Sequence, residues 1–166
     1  MVGADAPTST GSSHIRIRKC LLGGRIGGLL IVKEVRLYTD GGCHGNPGPG
    51  AIGVLLLDQN NAELETYKEC IGHTTNNRAE YLALIKGLDL AAKHCRKTVY
   101  CFSDSELIVK QMSSQYRLKK EELRKLFHEV KDKERAFDRV VYTHVSRNNQ
   151  YIKKADKLTS DALNGI

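Results

Sequence analysis

The spacing of apolar residues changes several times along the chain, and each change marks an element. From Lys33 onward, EVRLYTD (34–40) and AIGVLLLD (51–58) read as strands, the second too continuously apolar to leave one face in water. AELETYKECIG (62–72) alternates and reads as a third strand, joined to the second by the tight turn Asp58-Gln59-Asn60-Asn61. NNRAEYLALIKGLDLAAKHC (76–95) reads as a helix, with Leu82, Ile85, Leu88, Ala92 and Cys95 on one face and Lys86, Asp89, Lys93 and Arg96 on the other. KTVYCFS (97–103) reads as a fourth strand, DSELIVKQM (104–112) as a short helix, and DRVVYTHVS (138–146) as a fifth strand before a last helix. The stretch 119–137 reads as a second long helix with Leu123, Leu126, Phe127, Val130 and Phe137 inward. A three-strand meander followed by helix, strand, helix, strand, helix predicts an α/β fold around one mixed sheet.

The totals narrow the class. With 166 residues, 40% apolar and 27% charged, the chain is one domain's worth of soluble-type sequence. Its net charge of +7 is uneven, because residues 1–33 carry +4 of it and leave only +3 for residues 34–166. Charge alone therefore argues weakly for a polyanionic partner. Residues 1–33 read as a disordered or weakly structured basic tail and residues 34–166 as the folded domain. The apolar part of that tail is cut by four glycines and Arg25, too interrupted to span a bilayer, so no membrane partner is expected. A transit peptide is one reading of the tail. A plain extension, or sequence upstream of a true start near Val32, is the preferred one. The five cysteines show no CxxC spacing, which suggests reduced thiols in a cytoplasmic compartment.

Two features ask for chemistry. Residues 41–50, GGCHGNPGPG, hold five glycines and two prolines where a hairpin turn needs only two to five residues. Four acids fall at or near the ends of elements: Asp40 closing the first strand, Glu80 one turn into the first helix, Asp104 between strand and helix, and Asp156 in the last helix. Open α/β sheets place their sites along such an edge. Taken singly, each acid has a plainer explanation. Asn77 with Glu80, and Ser103 with Glu106, fit capping boxes; Asp104 fits a cap; Asp40 fits an Asp-Gly turn; Asp156 fits a solvent-facing helix position.

Taken in order, the blocks TDGGCHGNPGPG, TTNNRAE, FSDSELIVKQM and KKADKL each adjoin one acid, and over residues 34–164 the chain resembles the type 1 ribonuclease H family. The short form without an extended basic protrusion is the nearer likeness. The resemblance implies a ribonuclease H-like fold: a five-stranded mixed sheet flanked by helices, the antiparallel meander continued by two parallel strands. It implies a monomeric metal-dependent endonuclease that hydrolyses the RNA strand of an RNA–DNA hybrid, leaving 5′-phosphate and 3′-hydroxyl ends. Asp40, Glu80, Asp104 and Asp156 match the family's metal-binding and catalytic carboxylates. Four crowded carboxylates repel one another, and two Mg²⁺ ions, with Mn²⁺ as a substitute, would resolve that repulsion. Gly41, Gly42 and Asn46 match positions that contact the hybrid, where glycine allows close backbone approach. Thr75 and Asn76 match a grip on the DNA backbone at a helix N-terminus, and Asn77 would cap that helix and reach the minor groove.

The last block departs from the family pattern. Ile152 stands four residues before Asp156 where the family often has Asn, and the loop from Ser146 is longer by about two residues. His144 reads as a packed or edge-strand histidine rather than a proton carrier, which leaves Arg147 as the loop participant. Glu106 reads as a helix cap. Lys119, Lys120, Arg124 and Lys125 alternate with acids and read as a solvated face. The alternative function is a catalytically silent hybrid- or duplex-RNA-binding module, which would be expected to have lost one of the four acids. Integrases and Holliday-junction nucleases share scattered acids but lack the GNPGPG and TTNN blocks.

Overall fold

The computed structural model describes residues 31–166, together with the backbones of Arg25–Ile26 and Leu29–Leu30, which form a two-strand antiparallel ladder. Up to Leu30 the expected tail otherwise lies outside the described residues, while its last two residues, Val32 and Lys33, belong to the first long strand, with Val32 buried. Five longer strands follow: β1 (Val32–Cys43), β2 (Gly48–Asp58), β3 (Glu63–Thr74), β4 (Cys95–Ser103) and β5 (Arg139–His144). Four helices separate or follow them: α1 (Asn76–Ala91), α2 (Glu106–Met112), α3 (Glu121–Glu134) and α4 (Gln150–Leu163). The sheet order is β3-β2-β1-β4-β5. β3, β2 and β1 pair antiparallel, and β1–β4 and β4–β5 pair parallel. This is the mixed sheet that the pattern predicts.

Alternation within the central strands divides the core between two faces. Leu37, Val54 and Leu56 point to the side of α1 and α3, where they join Tyr81, Leu84, Leu88, Leu123, Leu126 and Val130. Their neighbours Tyr38, Leu55 and Leu57 point to the other side and meet Ile152 and Ala155 of α4. Helices on both faces explain why β2 is apolar at successive positions rather than at every second one.

The first helix ends earlier than its pattern predicts. After Ala91, the N–H groups of Lys93 and His94 donate to the carbonyls of Leu90 and Ala91 (3.1 and 3.0 Å), tightening the last turn. The His94 carbonyl then accepts from the Val32 N–H (2.7 Å), and Cys95 opens β4. Cys95 is therefore a buried strand residue and not part of the helical stripe. Tyr81, Leu84 and Ala91 are buried alongside Ile85 and Leu88, because α1 is covered by both the sheet and α3.

The glycine-rich stretch is mostly strand. β1 continues through Asp40 to Cys43, pairing Gly41 with Ile52 and Cys43 with Gly50, so the connection itself is only residues 44–47. Asp40 thus lies inside a strand and not at its end, contrary to what the sequence pattern predicts. The acid still lines an open cleft, together with Gly41 and Gly42, which follow it in β1.

Candidate active site

The site forms where two helices approach Asp40 from opposite faces of the sheet. On one face, Gly41 admits α1. A Cβ on Gly41 would lie 2.4 Å from the carbonyl carbon and oxygen of Ala79 and 2.7 Å from the Glu80 nitrogen. That is backbone contact which cannot yield, so only glycine lets Glu80 sit this close to β1. The Gly41 backbone also hydrogen-bonds the Glu80 carboxylate. On the other face, Asp40 pairs with Gly53 across the β1–β2 ladder, and a Cβ there would lie 2.2 Å from the Ala155 carbonyl oxygen of α4. Asp104 arrives from the neighbouring parallel strand, one residue beyond the end of β4.

The carboxylates of Asp40, Glu80 and Asp104 converge, with one oxygen from each within 4.8 Å of the others. Asp156 lines the same cleft but stands outside that trio, on an exposed turn of α4. The sequence motifs predict four acids together. The structure brings three into one cluster and leaves the fourth at the rim, near enough for its charge to act on Asp40.

Burial and mutual repulsion both disfavour ionisation here. Burial pushes the Asp40 carboxyl up to about 6, with Asp156 and Asp104 adding repulsion while Thr159 and Arg147 oppose the rise. Burial also holds Glu80 well above the usual carboxylate range, with Asp40 and Asp104 adding to it. The one cation in the cleft mouth paired to the cluster, among the described residues, is Arg147, whose Nε donates to Asp104 Oδ2 at 3.1 Å. The Arg147 side chain is 90% exposed against 12% for that of Asp104, so it meets the cluster from the solvent side. A donor set of hard carboxylate oxygens, destabilised by its own repulsion, fits hard divalent cations such as Mg²⁺ or Mn²⁺.

Four of the six expected nucleic-acid contacts lie beside the acids, and Asn46 and Thr75 stand outside the cleft lining. Gly41, Gly42, Asn76 and Asn77 line the cleft. Asn76 Oδ1 accepts from the Cys43 N–H and S–H (both 3.1 Å), while the Asn76 N–H donates to Asn46 Oδ1 at 3.2 Å. The hairpin connection and the start of α1 are thereby tied into one surface. The cap of α1 is Thr75, whose hydroxyl accepts from the Arg78 N–H (3.3 Å), and not Asn77 as the capping-box pattern suggests. The reason is register: the helix begins at Asn76, which places Asn77 inside its first turn. Likewise Ser105 caps α2, and Glu106 instead pairs with Lys110 at 2.6 Å.

The long loop before Asp156 is absorbed by helix. α4 starts six residues ahead of Asp156, capped by Asn149, whose Oδ1 accepts from the N–H groups of Tyr151 and Ile152 (2.9 and 3.2 Å). Ile152 is buried with Tyr38, Leu55 and Leu57, so its position serves the core. His144 is exposed at the end of edge strand β5, with Nε2 3.2 Å from the Asp104 carbonyl oxygen. Thr159, a buried hydroxyl beside Asp40, falls in none of the motif positions that mark the site in the sequence. Its spacing of three from Asp156 is the one signal that could have raised it.

An open mixed sheet with helices on both faces and an acid cluster at the centre defines a ribonuclease H-like domain. The chain belongs to the Reverse transcriptase-like family, whose model matches residues 38–162. It is 34% identical to Ribonuclease HI of Halobacterium salinarum over 130 residues, covering 78% of this chain and 64% of that protein. It is 38% identical over 132 residues to the Bifunctional protein Rv2228c of Mycobacterium tuberculosis, covering 78% of this chain but only 35% of that longer protein. Among solved structures, the N-terminal ribonuclease H domain of Rv2228c superposes with a TM-score of 0.76 at 36% identity, covering 80% of this chain and 95% of that one. LC11-RNase H1, solved in complex with an RNA/DNA hybrid, superposes with a TM-score of 0.72 at 34% identity, covering 79% and 97%.

Proposed function

We propose that the chain is a divalent-cation-dependent endoribonuclease that hydrolyses the RNA strand of RNA–DNA hybrids, leaving 5′-phosphate and 3′-hydroxyl ends. The observation that carries this reading is the convergence of Asp40, Glu80 and Asp104 in one cleft. It is supported by relatives named ribonuclease H and by a structural neighbour bound to a hybrid.

In this reading Asp40, Glu80, Asp104 and Asp156 hold two Mg²⁺ ions, with Mn²⁺ able to substitute. When bound, the ions supply Lewis acidity toward the scissile phosphate, the attacking water and the departing 3′-oxygen. The protein's part is to fix the carboxylates before substrate arrives, through the close packing at Gly41 and Gly53. Water supplies the oxygen added to phosphorus, the P–O3′ bond breaks, and the 3′-oxygen takes up a proton. Gly42 and Asn76, beside the acids, meet the minor groove, where 2′-hydroxyls distinguish RNA from DNA. Asn46 and Asn77 extend that surface, and Thr75 and Asn76 place the α1 N-terminus against a DNA phosphate. Arg147, which pairs with Asp104 at the cleft mouth, would be available to the substrate's phosphates wherever cations took over the charge of that carboxylate. We further propose a monomer working in a reducing, cytoplasmic compartment. Among the described residues the cysteines are free thiols, and no helix is long and apolar enough to cross a membrane.

The test is to incubate the protein with matched hybrid, duplex RNA and duplex DNA in Mg²⁺, Mn²⁺ or chelator. Chelator-sensitive cutting of the RNA in the hybrid, lost in Asp40→Asn, is the expected result. Binding of hybrid without cutting under any metal would overturn it in favour of a silent binding module.

A further inference from the structure

We propose that Thr159 is a positioning residue that staples α4 to Asp40 and so fixes where Asp156 stands relative to the three-acid cluster; the inference rests on the cation site proposed above. Thr159 is 3% exposed, and its hydroxyl lies 3.2 Å from the Ala155 carbonyl oxygen and 3.3 Å from that of Asp40. The same hydroxyl also opposes the upward push on the Asp40 carboxyl. One proton thus serves acceptors on two elements, α4 and β1, at the point where α4 touches the strand.

The packing around it is built for that contact. Gly53, opposite Asp40, has no Cβ; one placed there would lie 2.8 Å from the Thr159 hydroxyl oxygen and 2.9 Å from its nitrogen. The rest of this interface is apolar: Tyr38, Leu55, Leu57, Ile152 and Ala155. A hydroxyl buried in such surroundings is unfavourable unless hydrogen-bonded, and an apolar side chain would pack there without that demand. Asp156 lies three residues before Thr159 on the same helix, within one turn of the staple. Any slide of α4 along the sheet therefore moves Asp156, and the Thr159 hydroxyl opposes that slide at Asp40 itself.

The experiment measures Mn²⁺ binding to the whole chain by calorimetry, with thermal unfolding in chelator as the control. Thr159→Val keeps the shape and removes the donor; Thr159→Ser keeps the donor. We expect Thr159→Val to weaken Mn²⁺ binding about 10-fold while still unfolding cooperatively in chelator, and Thr159→Ser to stay within about 2-fold of wild type, as for outer partners of metal ligands. In an Asp156→Asn background the further loss from Thr159→Val should shrink, because the two changes remove one arrangement. Wild-type affinity in Thr159→Val, equal weakening in Thr159→Ser, or full additivity with Asp156→Asn would each overturn the assignment. Should Thr159→Val not fold, Thr159→Ala is read in the same way. A wild-type chain that takes up no Mn²⁺ would instead defeat the cation site itself, so the two failures are distinguishable.

Discussion

Asp40 and Gly53 face each other across the β1–β2 ladder, and the hydrogen that stands in place of a side chain on Gly53 is what lets α4 lie against Asp40. The neighbouring residue, Gly41, does the same for α1 on the opposite face. The acid at the centre of the site is therefore enclosed by two helix approaches that any larger residue would block. Asp40 is desolvated and tense for the same reason that it is well placed.

That tension has a pH signature. The Asp40 carboxyl in the fold is pushed up to about 6, above its unfolded value, so between roughly pH 4 and 6 the folded state holds more protons than the unfolded one. The contribution of this group is then most favourable below pH 4 and is lost as pH rises through 6. In chelator at pH 7.5, Asp40→Asn should raise stability by about 1–3 kcal/mol, since a tenfold change in proton affinity between the two states is worth about 1.4 kcal/mol. The same variant should lose the stabilisation that Mg²⁺ or Mn²⁺ confers on wild type. Thermal melts with and without cation check both; a variant less stable than wild type in chelator contradicts the electrostatic account.

Gly41→Ala places a methyl group 2.4 Å from the Ala79 carbonyl, against backbone that cannot give way. The expected outcome is a loss of about 1–3 kcal/mol from overpacking, with cation binding weakened as Glu80 is pushed from β1. Gly42→Ala, whose Cβ would meet nothing nearer than Asn76 Oδ1 at 3.9 Å, should leave the melt almost unchanged. Its effect should fall on hybrid affinity instead. Denaturant melts beside hybrid-binding titrations separate the two neighbours.

Arg147→Ala removes an ion pair whose cationic partner is almost wholly in solvent, so stability should change by about 1 kcal/mol or less. In the proposed site the guanidinium would compete with incoming cations for Asp104. Its removal should leave Mn²⁺ affinity equal to or tighter than wild type, while hybrid cleavage falls. Calorimetry and a cleavage assay on one preparation test this, and weaker Mn²⁺ binding would count against a competing role.

Away from the site, the Tyr81 hydroxyl donates to Gln111 Oε1 at 2.6 Å inside the core, linking α1 to α2. Tyr81→Phe leaves the buried Gln111 carbonyl without that donor. A loss of about 1–3 kcal/mol is expected, read as a lower denaturation midpoint at unchanged slope.

Hybrid binding should depend steeply on salt, because phosphate contacts release counterions. Residues 34–166 carry only +3, so affinity should be modest even at low salt. Anisotropy titrations from about 50 to 200 mM salt measure the slope, and a flat response would argue against phosphate contacts as the main source of affinity.

Much of this protein can be read from the order of its residues. The continuous apolar run 51–58 announces a strand covered on both faces, and Leu55 and Val54 do bury on opposite sides. Turn chemistry and helical spacing yield the element order and the mixed sheet, and the four motif blocks mark the acids. These are local signals: period, caps and composition act over a few residues and survive without tertiary context. Only the folded chain decided which way each end resolved. Helix α1 stops at Ala91 because His94 is claimed by Val32, sixty-two residues earlier; Thr75 caps it because the hairpin at Asn46 fixes its start; and β1 runs on through its glycines because β2 pairs with them. The same holds for the acids. Asp40, Glu80 and Asp104 meet while Asp156 remains at the rim, and the missing Cβ atoms of Gly41 and Gly53 are what let α1 and α4 come this close to Asp40. Distances between elements far apart in sequence are set by packing, and packing is a property of surfaces that exist only once the chain has closed on itself.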